Sequence, residues 1–230
     1  MTGFSLSNSI ADRIEQIRAT LPASVRLIAV TKQVSVAAMR AAYAAGIRDF
    51  GESRVQEAET KQTQLQDLPD ITWHLIGHLQ TNKAQKALAQ FQWIHSLDSL
   101  KLAERLNRLA EPLSCKPHVC LQVKILPDPD KAGWMVPDLV ADLSHLNQLT
   151  HLNIQGLMTI PPLGLTAAET LTVFQGAQAL ADEIKQQNWS NINMHELSMG
   201  MSGDYPLAVQ AGATMVRLGR ILFGDRPDHP

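Results

Sequence analysis

Cysteine is almost missing from this sequence: Cys115 and Cys120 are the two in 230 residues, and neither sits in a CxxC pair or near a cluster of metal ligands. That excludes a disulfide scaffold and a zinc-ribbon site, and leaves both as reduced, structural thiols. Charge is also modest. With 18% charged residues, a net charge of −2 and no run of basic residues, the chain is neither a disordered polyelectrolyte nor a protein built to wrap nucleic acid. The opening stretch MTGFSLSNSIADRIEQIRA lacks an uninterrupted hydrophobic segment. It therefore reads neither as a signal peptide nor as a membrane span, and a cytoplasmic location is expected. No Gly-, Ser- or Pro-rich linker divides the chain and no repeat recurs at a fixed period, so residues 1–230 read as one domain. What is present is 45% hydrophobic, enough for a substantial core.

That apolar material is distributed in short runs. Eight strand-like segments start at Arg26, Ile47, Thr72, Trp93, His118, Leu152, His195 and Met215, with helical segments between them. SVAAMRAAYAAG is an alanine-rich helix closed by Gly46, and TAAETLTVFQGAQALADEIKQQ carries a helical stripe through Leu171, Phe174, Ala177, Gln178, Leu180 and Ala181. Strict alternation implies parallel strands joined by crossover helices, which leaves a closed barrel or an open doubly wound sheet. Eight runs favour closure. The last run is followed only by DRPDHP, too short and too proline-rich to cover it. An added N-terminal helix does so instead, with Ile10, Ile14, Ile17 and Leu21 at helical spacing behind Ser9.

The first run, LIAVTKQVS, ends its apolar stretch on Lys32. An ammonium is costly to bury without a partner, so a lysine there either escapes to solvent or is used. Active sites of parallel barrels lie at the C-terminal strand ends, and phosphate is often held after the last two strands. There, LSMGMSGDY offers Gly200, Ser202 and Gly203, and RLGRILFG offers Gly219, residues that let backbone N–H groups and a hydroxyl approach an anion. On their own these glycines serve tight turns and close packing equally well. A nucleophilic lysine and an anion site across the barrel closure together suggest a phosphorylated aldehyde held as a Schiff base, and pyridoxal 5′-phosphate fits.

The segments AVTK, FGESRVQE, WHLIGHLQTNK, GLMTIPP and ELSMGMSGDYPLAVQAGATMVRLGRILFG closely resemble the YggS/PLPBP family of pyridoxal phosphate homeostasis proteins, its cyanobacterial members most of all. The likeness runs from about residue 10 to the end of the eighth strand. It implies a single (β/α)8 TIM barrel like the N-terminal domain of alanine racemase, with Lys32 carrying pyridoxal 5′-phosphate as an internal aldimine. It assigns the phosphate to Ser202 and the backbone near Gly203, Gly219 and Arg220, and makes Arg217 a residue that lines or organises the pocket. It further implies a monomer that holds or regulates the vitamer pool, linked to amino-acid and keto-acid balance, with PLP-dependent apoenzymes as recipients. No metal and no dedicated turnover are implied.

A physical reason supports the lack of turnover. Alanine racemases need a base on each face of the cofactor, the second a tyrosine brought by another domain or subunit, and none follows here. Tyr205, after SGD, is the one candidate; a packing or rim role is expected, with racemisation as the rival reading and a class I aldolase, another lysine Schiff-base barrel, as a third. The family's FGEN is FGES here, which leaves a shorter Ser53 and a doubtful cofactor contact, and TKQVS lacks the threonine and proline common after the lysine. His74 and His78 lie at strand spacing but lack a completing ligand, so packing or hydrogen bonding is expected of them. Lys124 reads as snorkelling or paired, Met199 and Met201 as packing residues, and KQTQLQD as a solvated helix face.

Overall fold

The computed structural model describes residues 9–113 and 116–224. Cys115 and the DRPDHP tail lie outside the described residues. Helix α1 (Ile10–Thr20) starts on Ser9, whose hydroxyl accepts from Asp12 N at 3.1 Å, and buries Ile14 and Ile17. It is followed by β1 (Arg26–Val30), α2 (Val36–Ala44), β2 (Asp49–Glu52), α3 (Val55–Gln64), β3 (Thr72–Leu75), α4 (Ala84–Gln90), β4 (Trp93–Leu97), α5 (Leu100–Ala110) and β5 (His118–Lys124). A short strand β6 (Trp134–Met135) precedes α6 (Val136–Leu146), β7 (Asn153–Met158), α7 (Ala167–Gln186), β8 (Ile192–Ser198), α8 (Tyr205–Gln210), β9 (Met215–Leu218) and α9 (Arg220–Phe223).

All strand pairings are parallel, and they close. The order β4-β3-β2-β1-β9-β8-β7-β5 is completed by a β4–β5 pairing, which makes the expected eight-stranded barrel of β1 to β5 and β7 to β9. β6 was not foreseen: it is a two-residue ladder on the end of β5, outside the ring. β8 also starts at Ile192 rather than His195, because Ile192 and Met194 alternate into the core with Asn193 and His195 exposed between and after them. Gly46, with φ of 89°, follows α2 as expected, and the Thr166–Glu169 capping box opens α7.

Two cores result. The larger lies between helices and sheet and includes the fully buried Phe50, Leu106 and Phe174; the smaller fills the barrel with Ile28, Trp93, Cys120, Met158 and Met215. Cys120 is a free, buried thiol, and burial pushes its pKa far up, so it is inert packing as expected. α1 packs beside α2 and α9, on the side of the ring where β9 meets β1. No helix among the described residues is long and apolar enough to cross a membrane.

Candidate functional site

The barrel register brings the two ends of the sequence together. β1 pairs with β9, with Ala29 opposite Leu218, so the residues after β9 stand beside the residues after β1. Gly219 lies against Val30, where an added Cβ would come within 3.3 Å of Val30 Cβ and Val30 O. Lys32 and the glycine-rich loop are therefore neighbours, although almost the whole chain separates them in sequence.

Lys32 is half-buried two residues beyond β1, and the backbone on both sides of it is clamped. Thr31 donates its N–H to Gly51 O at 2.9 Å and its hydroxyl to Glu52 Oε1 at 2.6 Å. Lys61 Nζ, from α3, donates to Thr31 O at 2.6 Å, Glu52 Oε1 at 2.8 Å and Glu57 Oε1 at 2.6 Å. Glu57 Oε1 also accepts from Gln33 N at 2.6 Å, which holds Gln33 in the left-handed region at φ 61°. The carboxylates of FGESRVQE thus fix the residues before and after the lysine. Burial raises the Glu52 pKa against the opposing pull of Lys61 and Thr31, and its Oε2 is buried without a hydrogen-bond partner. Burial pushes Glu57 up as well, but the bonds from Lys61 and Gln33 N outweigh it and the net direction is down.

This corrects one expectation. Lys61, the first residue of KQTQLQD, is not on a solvated face: only 9% of its side chain is exposed. The clue available in the sequence was its i, i+4 spacing from Glu57 on one helix.

The second half of the site follows β8 and β9. Gly200 turns the chain at φ 92°, where a Cβ would sit 2.7 Å from Ala208 Cβ, and Asp204 Oδ1 accepts from Met201 N at 2.6 Å to close the turn. Ser202 is half-buried and its Oγ faces the N–H groups of Gly219 and Ile221 at 3.4 and 3.3 Å. Gly203 and Arg220 are exposed beside it, and a Cβ on Gly203 would meet nothing within 4 Å. The expected anion-site residues are therefore together, and the space next to Gly203 is open.

Arg217 is buried at 4% exposure. It donates to Ser198 O at 2.6 Å, Ser198 Oγ at 2.7 Å and Thr159 O at 3.2 Å, so its head lies level with the C-terminal ends of β7 and β8. Burial pulls its pKa down to about 10, with Asp204 pulling back up. Thr159, Ser198 and Asp204 are contributors that motif reading did not isolate.

Tyr205 points elsewhere: its hydroxyl is 3.2 Å from Thr20 Oγ1 on α1, in a packing role. His74 is fully buried and bonded to Asp49 and His95, and His78 is bonded to Asp98 at 2.8 Å. Lys124 is partly buried and donates to Asp128 O at 3.4 Å. Met199 is buried as expected, whereas Met201 is 37% exposed, because its backbone makes the turn and its side chain leaves it. Ser53 is half-buried, its backbone pressed so close to Gly77 that a Cβ there would lie 2.3 Å from Ser53 O.

Residues 7–227 match the family model "Alanine racemase, N-terminal domain". A "Pyridoxal phosphate homeostasis protein" of Synechocystis sp. is 54% identical over 211 residues, covering 92% of this chain and 96% of that protein. The solved structure of PipY from Synechococcus elongatus with PLP bound superposes with a TM-score of 0.90 at 57% identity, over 94% of this chain and 100% of that one. Alanine racemase of Clostridium difficile shares the fold, with a TM-score of 0.77 at 16% identity over 96% of this chain and 57% of its own.

Proposed function

The chain belongs to the alanine racemase N-terminal domain family and, within it, to the pyridoxal phosphate homeostasis proteins, and from that we propose that it binds pyridoxal 5′-phosphate as a Schiff base on Lys32 and acts in cytoplasmic homeostasis of the free cofactor. A single domain spanning residues 1–230 does this.

The observation that carries the reading is the β1–β9 register, which sets a lysine in a clamped loop beside a cluster of donors. The residues fit the cofactor's two chemical demands. A phosphate monoester needs several hydrogen-bond donors converging on one point, and the backbone N–H groups of Gly219 and Ile221 already converge on Ser202 Oγ, at lengths that leave them weakly used, beside an open Gly203. An aldehyde needs a primary amine, which Lys32 supplies. When bound, the cofactor contributes an electrophilic carbonyl and an aromatic ring; the protein contributes anchoring by Ser202, Gly203, Gly219 and Arg220, and Arg217 as a fixed cation organising the pocket.

Absence of a dedicated turnover is part of the proposal. Racemisation needs a second base, and the Tyr205 hydroxyl is bonded to Thr20 on α1. A cofactor held on one side alone suits handover to PLP-dependent apoenzymes by a monomer better than proton transfer at a substrate carbon.

Purified protein reconstituted with pyridoxal phosphate is expected to be yellow, and borohydride should fix the cofactor to a peptide containing Lys32. Lys32→Ala should lose both signals. A preparation that stays colourless at saturating cofactor sinks the reading and favours an aldolase. Deuterium exchange at the α-carbon of an amino acid, lost in Tyr205→Phe, would instead establish the racemase-like enzyme. A finer test separates the anion site from the lysine. Ser202→Ala removes a hydroxyl that contacts a charged group, worth ~1.5–3 kcal/mol, so the affinity for pyridoxal phosphate should fall by at least about tenfold. Fluorescence titration with unphosphorylated pyridoxal should show no such loss; equal weakening of both vitamers would place the phosphate elsewhere.

A further inference from the structure

The barrel interior holds a line of polar side chains that neither the lysine clamp nor the anion site uses. Asp49, the first residue of β2, borders a cavity of about 430 Å³ at the N-terminal end of the barrel, lined also by Arg18, Arg26 and Arg48. Its Oδ1 is 2.9 Å from His74 Nε2 on β3, and His74 Nδ1 is 2.9 Å from His95 Nε2 on β4. His95 Nδ1 is 2.7 Å from Ser198 Oγ on β8, which in turn accepts from Arg217 on β9 at 2.7 Å. Both histidines are fully buried.

Counting protons along this line leaves little freedom. Arg217 has only N–H groups to offer and Asp49, as a carboxylate, only acceptors. With both histidines neutral, His74 must donate from Nε2 to Asp49, since the other tautomer would face a lone pair with a carboxylate oxygen. Its Nδ1 then accepts, so His95 donates from Nε2, and His95 Nδ1 accepts from the Ser198 hydroxyl. Every bond points from Arg217 towards Asp49. One added proton permits a second complete order. His74 becomes an imidazolium against Asp49 and donates from Nδ1 to His95 Nε2, and His95 donates from Nδ1 to Ser198 Oγ. Ser198 Oγ then accepts from both His95 and Arg217, and its own hydroxyl hydrogen, still covalently bound, rotates away from His95.

We propose that Asp49, His74, His95 and Ser198 form a through-barrel relay with two hydrogen-bond states one proton apart, and that His95 is the positioning residue through which the relay sets how Ser198 holds Arg217. Its far end opens on a solvent-facing cavity while Arg217 sits at the ligand end, so the occupancy of that proton at one face of the barrel is felt at the other. Asp49, Arg26, Glu196 and Arg217 are the charged groups that act on the histidine pair. Burial and the nearby cations Arg26 and Arg217 disfavour the added proton, and Asp49 and Glu196 favour it. The relay belongs to the ligand-free chain, so it stands or falls separately from the cofactor reading.

Long-range 1H–15N NMR of the imidazoles in the ligand-free, full-length chain reads both states directly. At pH 8 both rings should carry their proton on Nε2. On acidification His95 should move its proton to Nδ1 with the same midpoint at which His74 becomes an imidazolium, and the Arg217 guanidinium resonances should shift at that midpoint too. Asp49→Asn keeps an acceptor for His74 but not the charge, so the shared midpoint should fall by a pH unit or more, a tenfold loss of proton affinity. Ser198→Ala should uncouple Arg217 from the titration, and Ser198→Thr should restore it. An Nδ1–H tautomer of His95 at pH 8, independent midpoints for the two rings, or an Arg217 signal that ignores them overturns the proposal. Ser198→Ala provides the decision if Asp49→Asn does not fold.

Discussion

Lys61→Met is expected to destabilise the protein by about 3–5 kcal/mol, because it strips the partner from a buried carboxylate. Glu52 is fully buried and Glu57 is 26% exposed at its side chain, and the Lys61 ammonium touches both at 2.8 and 2.6 Å. Methionine matches the stem in length and fills its volume, so the loss is electrostatic rather than a cavity. Thr31 O also loses its 2.6 Å donor, which loosens the loop on the side of Lys32 facing α3. Urea unfolding should therefore show a lower midpoint, and condensation of Lys32 with pyridoxal phosphate should weaken alongside. The double variant Lys61→Met with Glu52→Gln removes the stranded charge and should recover stability in part, while the loop, still missing its ammonium, should not recover affinity to the same degree. A single variant within 1 kcal/mol of the parent would mean that water already reaches Glu52.

That clamp was the least legible part of the site in the sequence. The eight strands stood out as apolar runs, and the adjacency of Lys32 to the last glycines followed from closure alone, since a barrel must set its final strand beside its first. Arg217, Ser202 and Gly219 could be named because they share one motif. Lys61 could not: in KQTQLQD it is one polar residue among many, and what buries it is the geometry of α3 against β2, which brings Glu52 from another element. The histidines failed to register as a pair for a similar reason. His74 and His95 each look like an isolated polar residue in an apolar run, and only the β3–β4 register makes them neighbours. Met201 shows the converse error, since flanking a glycine in an apolar motif says nothing about the side of the turn on which a side chain emerges.

Those two histidines make the second large effect a matter of acidity. Burial holds His95 well below the ordinary value of 6.5 and, with Asp49 pulling the other way, holds His74 below it as well. The unfolded chain takes up a proton on each ring as the pH falls through that value and the folded chain does not, so the unfolded state gains. Stability is therefore intact above the ordinary histidine pKa and is lost progressively as the pH drops towards the folded-state values. Between pH 7.5 and 5.5 two such groups cost about 2.7 kcal/mol together if neither protonates in the fold. The window lies above the ordinary range of the carboxylates; Glu52, which burial shifts up towards it, works in the opposite sense, and His118, which burial shifts down, adds to the trend. Chemical denaturation at several pH values should trace this slope, and His95→Gln, which keeps an acceptor and a donor but cannot titrate, should lose about half of it. A stability that stays level from pH 7.5 to 5.5 would mean that the pair already carries its proton in the fold, with the relay in its protonated order at neutral pH.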